Sequence, residues 1–175
     1  MKHHYLTILA IASIFTLGIT AHTYAQGQFK TGETPTSFKA SATKVTKLPP
    51  VFSRQGVAIR GADPVAYFSQ NQGANAVMGK AEYQHQWNGT TWYFASAENR
   101  DKFAANPTQY APQYGGYCAK AVSEGYTAPV DPNAWAIHEG KLYLNYSKGV
   151  QAQWSRDIPG NIAKGDRNWP SVLNR

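Results

Sequence analysis

Residues 115–118 read Gly-Gly-Tyr-Cys, and Cys118 carries the only thiol in a chain of 175 residues. A thiol just after two glycines, in the first turn of a helix predicted over residues 117–123, faces unpaired backbone N–H groups and the positive end of the helix dipole. Both favour a thiolate. Lys120 adds positive charge, and Gly115 and Gly116 leave room for a ligand or partner to approach the backbone. The competing reading is a buried thiol that packs as a small hydrophobe. One cysteine excludes an intramolecular disulfide framework and every multi-cysteine zinc or iron–sulfur site. It also means that a redox cycle at Cys118 must use an external thiol or a partner protein.

A metal site would need further donors. Beyond the leader described below, the chain has two histidines, His85 and His138. Thiolate and imidazole suit copper or zinc, so Cys118 with His85 and His138 is the candidate metal set. Against it, His85 projects with an aromatic strand face, where a hydrogen-bonded core histidine on Trp92 is the simpler reading. His138 lies beside a turn, where a solvated side chain is expected. Tyr110, Tyr114 and Tyr117, with Gly115, Gly116 and nearby Tyr126, form the candidate pocket; a phenol there can donate to a thiolate or an anionic ligand. Asp63-Pro64 and Asp131-Pro132 read as turn and helix-start chemistry rather than as paired catalytic acids. The chain has no Gly-rich phosphate loop, no Gly-x-Ser-x-Gly elbow and no His-Glu-x-x-His helix.

Two hairpins must hold these groups. Residues 82–87 and 90–94 flank Asn88-Gly89, a strong type I′ turn signal. That register pairs Trp87 with Thr90, His85 with Trp92 and Tyr83 with Phe94, giving one aromatic and one polar face. Residues 135–138 and 141–144 flank Glu139-Gly140. Trp135, Ile137, Leu142 and Leu144 share the apolar face; Ala136, His138, Lys141 and Tyr143 are expected to point outward. Ser96 caps one predicted helix, which Asn106-Pro107 stops. Ser147 caps a second, and Pro159 opens a third. The expected fold is α+β: two antiparallel hairpins with short helices packed on them, in one small domain.

Residues 1–25 have the shape of a secretory leader: Lys2, an apolar run over residues 6–19, and a small-x-small site at Thr23-Tyr24-Ala25. The run is short for a bilayer span, so no stable membrane insertion is expected after cleavage. A mature start at Gln26 and a periplasmic or secreted location follow. Residues 26–55, rich in Thr, Ser, Lys, Gly and Pro, read as a flexible linker, and residues 56–175 as the domain. The formal charge is +7, but no two basic residues are adjacent. The clustered basic face of a nucleic-acid reader is absent, so no nucleic-acid partner is expected.

Gly61-Ala62-Asp63-Pro64-Val65-Ala66-Tyr67-Phe68, then Trp87-Asn88-Gly89 through Trp92-Tyr93-Phe94-Ala95-Ser96, then Phe103, Asn106-Pro107 and Tyr110 together resemble the YHS domain. Tyr114-Gly115-Gly116-Tyr117-Cys118-Ala119, Leu142-Tyr143-Leu144-Asn145-Tyr146 and Asp157-Ile158-Pro159-Gly160 resemble its exported bacterial branch. The resemblance implies a metal-binding or redox-associated module beside copper handling, more a binding or carrier protein than an enzyme. The family's metal site rests on cysteines at positions that here hold Ala66, Ala95 and Asn99. The resemblance extends to some relatives of the exported branch that carry selenocysteine where this chain has Cys118, which implies chemistry at that sulfur. Three readings stand: a soft-metal module of copper type centred on Cys118, a thiol redox protein with Cys118 as reactive centre, and a non-catalytic binding module. The implied partners are a thiol reductant or a metal-transfer protein.

Overall fold

Asn88 and Gly89 take φ of 50° and 75°, and Glu139 and Gly140 take 48° and 70°. Such left-handed pairs let a two-residue turn follow the twist of its strands, and each closes a hairpin where the sequence predicts one. These and the following features belong to a computed structural model that describes residues 46–174. The leader at residues 1–25 and the linker up to residue 45 lie outside the described residues.

The first hairpin joins β3 (Lys80–Trp87) to β4 (Thr90–Phe94). Two short strands, β1 (Ser53–Arg54) and β2 (Val57–Ala58), extend it into a sheet of order β1-β2-β4-β3, with β2 parallel to β4. Trp87 stands opposite Thr90 and His85 opposite Trp92, as expected. The expected Tyr83–Phe94 pair does not form. The register shifts between Lys80 and Gln84, so Phe94 stands opposite Lys80; a bulge takes up the extra residues. The face assignment survives: Thr90, Trp92 and Phe94 are buried, Tyr83, His85 and Trp87 half-buried, and Gln84 and Gln86 exposed. Phe103 fills this face, its ring 5.1 Å from Trp92 and 5.2 Å from Phe94.

The second hairpin, β5 (Asp131–His138) with β6 (Lys141–Asn145), pairs Trp135 with Leu144 and Ile137 with Leu142. Trp135, Leu142 and Leu144 enter the same core as Trp92 and Phe94. Burying one such leucine contributes roughly 2 kcal/mol. The face expected to point outward does so only at the hairpin tip, where Lys141 is exposed and His138 half-buried. Ala136 and Tyr143 are buried in a second core with Tyr114 and Trp154. Tyr143 lies 5.1 Å from Trp154 and 5.9 Å from Tyr114, ring to ring. Alternation along a strand tells which residues share a face, not whether helices cover the other one.

Five α-helices are described: α1 (Ala97–Ala105), α2 (Pro107–Tyr110), α3 (Ala119–Ser123), α4 (Lys148–Trp154) and α5 (Ile158–Asn168). The predicted caps hold. Ser96 Oγ accepts the Asn99 N–H at 3.2 Å, and Ser147 Oγ the Val150 N–H at 3.2 Å. Asp157 caps α5 by accepting the Gly160 N–H at 2.9 Å, with Pro159 in the first turn. No helix among the described residues is long and apolar enough to cross a membrane.

The folded part begins before residue 56, where composition sets the end of the linker. Val51 is buried, Leu48 N–H donates to Leu173 O at 2.8 Å, and Phe52 N–H donates to Gly115 O at 2.9 Å. Leu48, Val51 and Phe52 are isolated apolar residues without a period, which is why they read as tether; each fills a separate gap. Gly115 permits this crossing. Its φ is +59°, and a Cβ there would collide with the Pro50 carbonyl oxygen.

Candidate functional site

Tyr114, Gly115 and Gly116 all take left-handed φ, at 54°, 59° and 79°. They turn the chain so that Tyr117 and Cys118 leave extended and α3 starts at Ala119. Cys118 is therefore the N-cap of α3 and not a member of its first turn. Its own N–H is spent on Ala128 O at 3.0 Å, which holds it in the preceding loop. Its sulfur makes no bond to the helix amides.

The sulfur faces the end of β6. Sγ accepts the Tyr146 N–H at 3.3 Å and lies 3.8 Å from Asn145 Oδ1, to which the thiol donates. Asn145 Oδ1 also accepts the Lys120 N–H at 3.2 Å. A side chain from the strand thus supplies the cap that Cys118 does not. Cys118 is 1% exposed and Asn145 0%. Asn145 Nδ2 is buried without a partner. This asparagine was not legible as a site residue, because its partners stand 25 and 27 positions away; the one signal is a carboxamide closing the buried strand Leu142-Tyr143-Leu144.

The remaining predicted residues are drawn elsewhere. Lys120 Nζ pairs with Glu124 at 2.7 Å, so its charge is directed along the helix surface. Tyr114 O–H donates to Asp166 at 2.9 Å; burial, then the Asp166 carboxylate, keep that phenol protonated. Tyr117 O–H donates to Pro49 O at 3.0 Å, and burial pushes its pKa up. Tyr110 stacks edge-on with Phe68 at 5.4 Å. Gly116 packs under Ile59 and Pro112. Gly115 borders a cavity of about 220 Å³ lined also by Pro50, Trp87, Trp92, Trp169 and Leu173. Tyr126 is half-exposed and donates to Glu124 at 3.3 Å; partial burial, the Glu124 carboxylate and the Cys118 sulfur all raise its pKa. The phenols of the expected tyrosine pocket are thus turned to other partners.

The candidate metal set is not gathered. His85 sits on β3 with its ring edge-on to Phe103 at 6.1 Å. His138 sits at the tip of the second hairpin, its Nε2 4.0 Å from Glu139. Asn145, which meets the sulfur, lies at the other end of β6, about 13 Å along the strand from the residue paired with His138. No group of three or more His, Cys, Asp or Glu able to hold a metal ion occurs among the described residues.

A second polar centre lies under the first sheet. Asp63 is 0% exposed, and its carboxylate accepts four hydrogen bonds. Oδ1 takes the N–H of Val65 at 2.8 Å and of Ala66 at 3.2 Å, the local turn expected from the sequence. Oδ2 takes the Ala95 N–H at 2.8 Å and Asn99 Nδ2 at 2.7 Å. The last two bonds tie the turn to the β4–α1 junction, which Asp-Pro turn chemistry does not foretell. Ala66, Ala95 and Asn99 are the positions where the resembled family places cysteines, and all three converge on Asp63. A saturated hard carboxylate does not fit a soft metal ion.

The family model of the YHS domain matches residues 75–114. This span holds the first hairpin, α1 and α2 and ends at Tyr114, so the resemblance read from the sequence holds there; Asp63 and Cys118 lie outside it. No curated protein and no solved structure matches the chain.

Proposed function

We propose that this chain, with its YHS-type segment at residues 75–114, is an exported thiol-dependent redox module with Cys118 as its reactive centre. The observation that carries the reading is the polar cradle of the sulfur. A backbone N–H at 3.3 Å and a carboxamide at 3.8 Å meet the chain's only thiol, and an amide donor stabilises sulfur as it takes on negative charge. In the proposed step the Cys118 thiol loses its proton to solvent and its sulfur bonds to one sulfur of a partner disulfide. The partner's S–S bond breaks, and its other sulfur leaves as a thiolate. An external thiol then attacks the mixed disulfide and restores Cys118. The sulfur is 1% exposed, so access to it requires local opening of the structure around it.

The test is labelling of the native, exported protein with iodoacetamide, followed by intact mass, which also reports whether the chain begins at Gln26. Modification of the folded protein at a measurable rate is expected. Labelling seen only after unfolding overturns the reading. The match at residues 75–114 favours a second reading, a soft-metal module of copper type in which Cys118 is one donor and a metal-transfer partner supplies the others. A Cu(I) titration separates the two: equal affinity of the wild type and Cys118→Ala removes the metal reading.

A further inference from the structure

We infer that Asn145 is the positioning residue of the Cys118 thiol. This rests on the thiol reading above and deepens it. Asn145 closes β6 after Leu142, Tyr143 and Leu144, all buried. A carboxamide in such a place must find partners, because a buried polar group left alone is costly. Its oxygen has two: the Lys120 N–H at 3.2 Å and the Cys118 thiol at 3.8 Å. Its nitrogen has none.

That imbalance is not a reversed amide. Exchanging Oδ1 and Nδ2 would point an N–H at the Lys120 N–H and break the cap of α3. The oxygen is therefore fixed by the helix, and the same oxygen fixes the sulfur. Together with the Tyr146 N–H at 3.3 Å, it holds Sγ between strand and helix from two directions. The Nδ2–H bonds remain unpaired on the same carboxamide whose oxygen meets the sulfur. In disulfide exchange, negative charge sits first on the Cys118 sulfur and then on the departing partner sulfur. A buried donor without another partner answers that charge with no bond to give up, so it favours the charged step over the resting thiol.

Two variants separate these roles. Asn145→Asp keeps the size and the acceptor for the Lys120 N–H but puts a carboxyl group in place of the amide donor; Asn145→Ala loses both. Reaction of the native protein with oxidised glutathione at one fixed pH, read as mixed-disulfide mass, is expected to slow about tenfold in Asn145→Asp. The Raman S–H stretch of the native wild type is expected at a lower frequency than that of the unfolded chain, and to return toward the unfolded value in Asn145→Ala. An S–H band that ignores Asn145, or a wild-type rate in Asn145→Asp, overturns the inference. A wild type inert to glutathione whose S–H band still follows Asn145 overturns the redox reading and leaves the positioning role standing.

Discussion

Two buried polar centres of this protein, Asp63 and the Cys118–Asn145 pair, differ in one respect. The Asp63 carboxylate accepts four hydrogen bonds, from Val65, Ala66, Ala95 and Asn99, and nothing remains for a ligand. The Asn145 carboxamide satisfies its oxygen, which also meets the sulfur, and leaves its nitrogen without a partner. Saturation marks a joint; a spare donor on the group that meets a thiol marks a place where charge can change. The resembled family places sulfur at the first centre, and this chain keeps its sulfur at the second. The chemistry implied by a fold family therefore has to be located residue by residue.

The largest expected effect breaks the joint. Asp63→Ala strands four donors, two of them in the β4–α1 junction, and should cost about 3 kcal/mol or more, lowering the melting temperature by roughly 10 °C. Thermal unfolding checks it, and a variant that melts like the wild type would show Asp63 to be no joint at all. Next, Cys118→Ala removes one buried atom and leaves the Tyr146 N–H without its acceptor, a loss of about 1–2 kcal/mol. Denaturant titration should place it well above Asp63→Ala in stability; the reverse order would make the sulfur the structural centre. The smallest effect concerns the Lys120–Glu124 ion pair on α3. The hydrogen bond and charge of Lys120 hold the Glu124 carboxyl below the usual carboxylate range. A lowered folded-state pKa gives stability that is present above the unfolded value and lost as pH falls through the folded one. The pair is substantially exposed, so Glu124→Gln should cost less than about 0.5 kcal/mol at neutral pH, with the difference closing in acid. Paired urea titrations at pH 7 and pH 3 measure it.

Much of the frame was legible. Asn88-Gly89 and Glu139-Gly140 announce their turns because left-handed backbone pairs admit few residues, and Ser96 and Ser147 announce helix starts because orphan N–H groups need an acceptor. The centres were legible only in their local halves. Asp63 shows its turn to Val65 and Ala66 but not its reach to Ala95 and Asn99. Cys118 shows its glycines but not Asn145, and its thiol was expected to meet helix amides that a strand side chain caps instead. The outward face assigned to Ala136 and Tyr143 failed for the same reason: what covers a strand comes from distant chain, here Trp154 and Tyr114.

Phe52 packs against both hydrophobic clusters, and Gly115, which lies against the Pro50 carbonyl two residues before it, is what lets the backbone lie close enough for it to do so. A segment with the composition of a tether thus ends as the bolt between the two halves of the interior. Trimming the protein to residue 56 would withdraw that bolt, and a minimal version that keeps both halves locked has to start upstream of Leu48.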